Sequence, residues 1–479
     1  MLIENARMRL TVHAEKQIGS AELFDKRNKE AYADAAYCYS LDVVRQGRTW
    51  KSRTVTCDGH EERTGPDGWK ELLLTGRFDF EPSAPTFDLR ILQLFRLHPQ
   101  NGQLEEEIRI VNRGAEPCQI ADYAFGFRKA IYRRHDEKWA NGFEGYTLVP
   151  VPHRRRFGHR VDRKLQGYSL QDLLPHMWEH VRGIDGPEGH NLPDHGSEGW
   201  VWTDGSRGLL VLKYQPEEIE FSIAHGEMHD GDFCLRFGGA GKWRGDPESS
   251  AEIAAGATTA FGVSRYDLVE GGWKEGYYAF RSYLGSKGKK FPESYNPPVH
   301  WNELYNLSWR LGDGSTRYKL DQLFREAEIA ADMGCESLYL DPGWDTIEGS
   351  TVWDERALGI TLKDFVTTVR EKYGIAVSLH LMSHTNSKTE YAGMYRKDPD
   401  GNLVPVWNGA KVCMQSEWKR EKTKRVLKLA EAGVAFFMFD FQEAGPACWD
   451  RSHGHEVPLK RQSHAEGINE VIRNVKKDY

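Results

Sequence analysis

The chain has 479 residues, enough for two or three domains that each bury a core. Its net charge of −7 excludes a generally basic surface for nucleic acid or an anionic membrane. Seven cysteines without a CxxC indicate neither a disulfide framework nor a thiolate zinc site, and nothing in the composition calls for a cofactor. Met1 to Leu10 lacks the apolar core of a signal peptide, and no stretch approaches the ~20 apolar residues of a membrane span. A cytoplasmic, reducing setting is therefore expected. Aromatic residues reach 12%, with 15 tryptophans. Flat ring faces suit sugar stacking, but they suit core packing equally well.

Residues 1–290 read as β structure. Arg7 to Val12, Lys70 to Phe80, Phe87 to Leu97, Gly102 to Asn112, Pro117 to Phe127, Gly208 to Tyr214 and Ile219 to Ala224 alternate apolar and polar positions. Turns are expected at Gly19, Asp58-Gly59, Asn101-Gly102, Asn112-Arg113-Gly114 and Asp204-Gly205-Ser206. Alternation with frequent turns predicts an antiparallel β-supersandwich of two large stacked sheets. Residues 128–199 are expected to be a loop-rich insertion with one helix near Leu170 to Val181. Arg154-Arg155-Arg156 within it reads as a solvated loop. Gly238-Gly239-Ala240-Gly241-Lys242 is not a phosphate loop, because Arg236 stands at the first glycine position and Trp243 follows the lysine. It reads as a hairpin turn. Trp273 to Tyr283 has helical spacing, and Asn296-Pro297-Pro298 marks a break.

After Pro298 the period changes. Val299 to Leu307, Glu336 to Asp341, Ile375 to His380 and Val434 to Asp440 read as strands. Amphipathic helices follow each: Leu320 to Ala331, Leu362 to Val369, Ser416 to Ala432 and Ser463 to Lys476. Gly334, Gly374 and Gly433 stand where a left-handed residue ends a helix. Thr361 with Asp364, and Ser463 with Glu466, are placed like capping boxes. The order β-α-β-α-β-α-β-α requires parallel strands with right-handed crossovers. Residues 299–479 thus predict the first four units of a TIM-type β/α barrel. Eight units need about 250 residues. The expectation is a truncated chain or, failing that, a half barrel that covers its edge by homo-oligomerisation.

Each strand end carries polar residues: Trp301 and Asn302, with Asn306 and Trp309 further along; Asp341, Trp344 and Asp345; His380 and His384; Asp440 and Glu443. Val434 to Phe439 is a run of six apolar residues, reads as a strand buried on both faces, and leads straight into Asp440. A charge inside such a strand is costly, so Asp440 is expected at its C-terminal end, facing a cleft. A structural Asp that caps the next loop is the competing reading. Carboxylates and tryptophans on one rim suit glycoside chemistry, in which one carboxylate attacks or stabilises the anomeric carbon and a second donates a proton. A metal-dependent barrel enzyme built on Asp341, His380, His384 and Asp440 is a second reading. His453-Gly454-His455 near Cys448 is a further possible metal cluster.

On these residues the chain resembles glycoside hydrolase family 36, the α-galactosidase family, and its clan of retaining α-glycosidases. Trp301-Asn302 is similar to the family's Trp-Asn at the first strand, Leu340-Asp341-Pro342-Gly343-Trp344 to its Asp-Asp-Gly-Trp at the second, and Phe439-Asp440 to its Trp-Asp at the fourth. The resemblance implies that Asp440 is the nucleophile, that Asp341 hydrogen-bonds sugar hydroxyls and that Trp344 shapes the pocket. Trp301, Asn302, His380 and Glu443, as strand-end residues, are also expected to contact an oligosaccharide or glycoside substrate, and no metal is expected at the site. It places the general acid on a sixth strand, so no acid is named here. Three positions depart from the pattern. Pro342 replaces a sugar-binding Asp, Met438 replaces a sugar-binding Lys, and Leu304 replaces a Trp. Asp440-Phe441-Gln442-Glu443 is also similar to the Asp-Met-Asn-Glu of family 31 α-glucosidases. A catalytically inactive carbohydrate-binding relative is the alternative that these departures leave open.

Overall fold

The structure, a computed structural model, describes residues 1–133, 138–139, 145–151, 168–169, 198–215, 220–242, 251–307, 316, 318–440, 446–459 and 461–478. The chain divides into two compact units, Met1–Lys290 and Phe291–Tyr479.

The first unit is antiparallel β structure. Leu2–Glu4, Met8–Ala14, Ile18–Asp25 and Glu30–Ala36 form a four-stranded sheet, and the described strands beyond them join in one sheet of 16. Leu89–Leu97 shows why the sequence folds this way. Leu89, Ile91, Gln93, Phe95 and Leu97 are buried while the residues between them are half-buried, so one face of a pleated strand supplies the core. The long sheet curls until its two ends meet. Arg207–Tyr214, near one end, packs against Phe221–His229 at the other, and Ser222 Oγ donates to Val211 O at 3.3 Å. The supersandwich therefore holds as an architecture, with two sheets of very unequal size, four strands and sixteen, that share one core.

Several turn assignments are corrected. Asp58-Gly59 lies inside the 17-residue strand Arg48–Thr64, at a register shift between Cys57 and Gly59, and acts as a bulge. Gly19 lies inside Ile18–Asp25. Gly238 to Lys242 is the end of the strand Asp232–Lys242, not a hairpin turn. Its glycines serve close approach: a Cβ on Gly238 would stand 2.2 Å from Phe125 O, and one on Gly126 would stand 2.1 Å from Phe237 O. Within the expected insertion, 128–133 continues the strand Cys118–Arg133 and Thr147–Val151 pairs with Gly199–Thr203. The helix expected at 170–181 and the arginine run 154–156 lie outside the described residues. The helix Trp273–Ser286 packs Phe280 and Tyr283 against Val201, Leu210 and Leu212 of the sheet.

The second unit is the β/α series. His300–Asn302, Ser337–Leu340, Ala376–Met382 and Phe436–Asp440 form a parallel sheet in chain order. The helices Leu320–Asp332, Leu362–Tyr373, Trp418–Glu431 and Arg461–Asp478 alternate with them. Leu362, Phe365, Val366 and Val369 are all buried, which is the i, i+3, i+4, i+7 stripe read as a core face. Thr361 caps this helix by accepting from Asp364 N at 3.1 Å, and Gly374 ends it at φ +72°.

Three expectations here are revised. The first strand has three residues, and Leu304–Leu307 turns into a short helix. The last helix starts at Arg461, so Ser463 lies inside it and is not a cap. The fourth strand is not buried on both faces. Phe437 and Phe439 pack towards the helices, while Met438 is 38% exposed. The physical reason is its place: among the described residues it pairs only with the third strand. Among the described residues no helix is long and apolar enough to cross a membrane.

Candidate active site

Strand register decides what this sheet presents. Leu338, Leu340, Val377, Leu379 and Leu381 belong to the helix-side core. With a period of two, the opposite face carries His300 and Asn302, then Ser337, Tyr339 and Asp341, then Ser378 and His380, then Phe436, Met438 and Asp440. That face is unusually polar for a parallel sheet. Ser337 and Ser378 share a hydrogen bond of 2.7 Å, and the rings of His300 and Phe436 approach to 5.0 Å between centroids.

At the C-terminal ends of the strands the polar groups pair. Asn302 Nδ2 donates to Asp341 Oδ2 at 2.9 Å, and Asn302 Oδ1 accepts from Leu304 N at 2.9 Å. His380 Nε2 stands 3.2 Å from Asp440 Oδ2, and since a carboxylate only accepts, the imidazole N–H is the donor. His380 is buried, whereas the side chain of Asp440 is 48% exposed. Asp440 is the last residue of the fourth strand. Asp341 directly follows the second.

The tryptophans go elsewhere. Trp301 alternates with Asn302 and so faces the helices, where its Nε1 donates to Glu326 Oε2 at 2.8 Å. Trp344 is 1% exposed, stacks towards Trp353, and donates through Nε1 to His380 O at 3.1 Å. Both therefore brace the strand ends from behind, and the buried Trp344 offers no open ring face. Glu443 and Trp309 lie outside the described residues. Asp345 is buried and accepts from Gly349 N at 2.8 Å, so it holds its own loop. Asn306 donates to Glu326 at 2.9 Å, again on the helix side.

The rim does not assemble the metal site of the second reading. His384 is 1% exposed, and burial together with the nearby Arg396, Lys411 and Lys422 pushes its pKa down to about 2. Cations on that side oppose a metal ion. Among the described residues, His380, His384, Asp341 and Asp440 do not converge as a ligand group.

Two residues that motif reading passes over stand at the centre. Glu303, fully buried, accepts from Asp341 N at 2.7 Å and from the Tyr318 hydroxyl through one oxygen. Its other oxygen has no partner among the described residues. Desolvation pushes its pKa up to about 8. Tyr339 is 4% exposed, and its hydroxyl likewise has no partner among the described residues. Burial first, then the charges of Asp341, Asp440 and Glu303, drive its ionisation upward, so it stays a neutral donor beside three carboxyl groups. The signal for Glu303 was its position directly after Asn302. A strand running on to Leu307 hides that signal, whereas the real strand ends at Asn302.

Glu303 carries a pH signature. The unfolded side chain ionises near 4.5 and the folded one near 8, so between those values the folded chain holds the extra proton and stability falls as pH rises. Glu303→Gln is expected to flatten that slope, giving a melting temperature roughly several degrees above the parent at pH 8.5 and little changed at pH 5. Equal shifts at both pH values in a melting series would remove the assignment.

Neither a family model nor a curated protein matches this sequence. Solved structures do. The α-galactosidase of Lactobacillus brevis superposes with a TM-score of 0.55 at 11% identity, covering all of this chain and 67% of its own. The α-galactosidase AgaA of Geobacillus stearothermophilus gives 0.57 at 10%, covering all of this chain and 71% of its own. The α-N-acetylgalactosaminidase NagBb of Bifidobacterium bifidum gives 0.55 at 11%, covering all of this chain and 75% of its own. The fold is that of the family 36 glycoside hydrolases. This family 36-like chain spans about two thirds to three quarters of the length of those enzymes. Variants of AgaA have been solved with stachyose and raffinose, and NagBb with N-acetylgalactosamine.

Proposed function

We propose that this chain acts as a retaining α-glycosidase on terminal galactose-configured sugars, with Asp440 as the nucleophile. The observation that carries this reading is the pairing of His380 with Asp440 on the same sheet face as the Asn302–Asp341 pair. The His380 N–H orients one carboxylate oxygen of Asp440. Asp341, fixed through Asn302 and through its own backbone by Glu303, offers acceptors to sugar hydroxyls. The buried Tyr339 hydroxyl supplies a donor that no described protein group uses, and such a group calls for an explanation. A sugar oxygen provides one. Pro342 and Met438 cannot make the charged contacts of the resembling family, so recognition in this reading rests on Asn302, Tyr339 and Asp341. The sugars held by the similar solved enzymes support the galactose configuration.

The test is turnover of 2,4-dinitrophenyl α-galactoside, α-N-acetylgalactosaminide and α-glucoside by the full chain, followed by NMR. The expected result is dinitrophenolate release from a galactose-configured substrate, with the α-anomer of the sugar appearing first. Sugar binding without turnover, or a β-anomer appearing first, overturns the reading.

A further inference from the structure

Away from the strand-end rim, four potential ligand atoms converge. They belong to Cys413, Cys448, His453 and His455, and they all lie within 4.8 Å of one another. We propose that these residues bind a zinc ion that pins the segment following the fourth strand.

The chemistry of the set is the first argument. Two thiols and two imidazoles form the Cys₂His₂ combination that favours tetrahedral zinc over hard, oxygen-seeking cations. The spacing is the second. Zinc–sulfur bonds of ~2.3 Å and zinc–nitrogen bonds of ~2.0–2.1 Å place ligand atoms roughly 3.3–3.8 Å apart in a tetrahedron. Cys413 Sγ is 3.3 Å from His455 Nε2, and Cys448 Sγ is 3.4 Å from His453 Nδ1.

The third argument is orientation. Each imidazole turns one nitrogen to the sulfurs and the other to a backbone carbonyl. His453 Nε2 donates to Gly393 O at 3.0 Å, and His455 Nδ1 donates to Glu456 O at 2.7 Å. That outer hydrogen bond sets the tautomer a metal-ligating histidine needs. Both sulfurs are buried and both cysteines are free thiols.

The location suggests what the ion does. Residues 446–459 contain one short turn of 3₁₀ helix, Arg451–His453, and bury Ala447, Cys448 and Leu459. Protein contacts hold the segment at a few points: Arg396 donates to Pro446 O at 2.9 Å, and Lys397 pairs with Asp450 at 2.8 Å. Cys413 comes from another stretch of the chain: it packs against Cys448 and Leu459, while its neighbours Val412 and Met414 belong to a cluster with Trp418 at the entry to the third helix. A zinc ion would cross-link the two and close a loop that contains the third helix and the fourth strand. The site would thus stabilise the chain downstream of Asp440 without taking part in sugar chemistry.

The experiment is metal analysis of the full chain purified under reducing conditions without added metal. About one zinc per chain is expected, falling to background in the Cys413→Ser/Cys448→Ser double variant. Because that variant replaces buried residues, the parent chain is also stripped with chelator and titrated with Co²⁺. Thiolate-to-cobalt charge transfer and intense tetrahedral d–d bands are expected, together with a melting temperature that drops on stripping and recovers with Zn²⁺ but not Mg²⁺. His455→Ala, at a half-exposed position, is expected to weaken zinc retention at least about tenfold. A chain that carries no metal and gives no cobalt bands overturns the proposal. So does a native mass two hydrogens light that maps to a Cys413–Cys448 disulfide.

Discussion

Asp440→Ala is expected to lower kcat on a 2,4-dinitrophenyl α-glycoside by about 10³- to 10⁵-fold, roughly 4–7 kcal/mol of transition-state stabilisation. The choice of leaving group isolates the nucleophile. Dinitrophenolate departs without protonation, so the first displacement does not depend on a general acid. Any loss then reports on the group that attacks the anomeric carbon. The variant is expected to fold, because Asp440 ends its strand with its side chain 48% exposed. Adding azide should restore part of the rate and yield the β-glycosyl azide, since a small anion can occupy the space of the removed carboxylate. His380→Ala should cost less, about 10- to 100-fold, because it removes the donor that orients Asp440 and leaves the carboxylate in place. Retention of the parent rate in Asp440→Ala would end the nucleophile assignment outright.

The parts of the fold legible in the sequence were those where one period runs unbroken. Lys70–Phe80 was read to the residue, and Leu89–Leu97 and Gln103–Asn112 lay within one or two residues of their expected starts. The helices Leu320–Asp332 and Leu362–Tyr373 showed their buried stripes directly. Failures came where a local signal has two physical meanings. Asp58-Gly59 and Gly238-Gly239 have the composition of turns, but glycine also permits a bulge and a close crossing of strands. At the site, Asn302 and Asp341 were legible as strand-end residues. Trp301 and Trp344 are expected at the same strand ends as Asn302 and Asp341, yet alternation sends Trp301 to the face opposite Asn302. Parity applied at Asn302 would have caught this. Glu303 had a local signal in its place directly after Asn302, whereas Tyr339 needed the tertiary structure, since nothing local marks a hydroxyl as lacking a partner. The Cys413–Cys448–His453–His455 group was only half legible. The His-Gly-His stood out beside Cys448, but Cys413 is supplied by a distant stretch of chain.

The other large effect lies in the first unit and concerns a carboxyl group at a core position. Glu106→Ala is expected to destabilise the chain by about 4 kcal/mol, the scale for removing one partner from a buried polar network. Glu106 is 1% exposed, on a strand where Leu104, Ile108 and Ile110 face the same core. It accepts hydrogen bonds from Gln93 Nε2 at 2.6 Å, from the Tyr266 hydroxyl at 2.8 Å, and from the Tyr37 hydroxyl. Around them Tyr37, Phe95, Phe127 and Tyr266 pack ring against ring, with Tyr37 and Phe127 centroids 5.2 Å apart. Water cannot readily replace the lost acceptor in such surroundings, so three donors would be stranded in an aromatic core. Glu106→Gln keeps an acceptor and should cost only about 1–2 kcal/mol. Desolvation raises the Glu106 pKa against the opposing pull of its three donors. The folded chain therefore retains a proton that the unfolded chain releases above about pH 4.5, and the parent loses stability as pH climbs from there. Glu106→Gln should lack that loss. Urea melts of the three proteins at pH 5 and pH 8 measure both quantities. An Ala variant within about 1 kcal/mol of the parent would mean that the core closes over the site and re-pairs its donors.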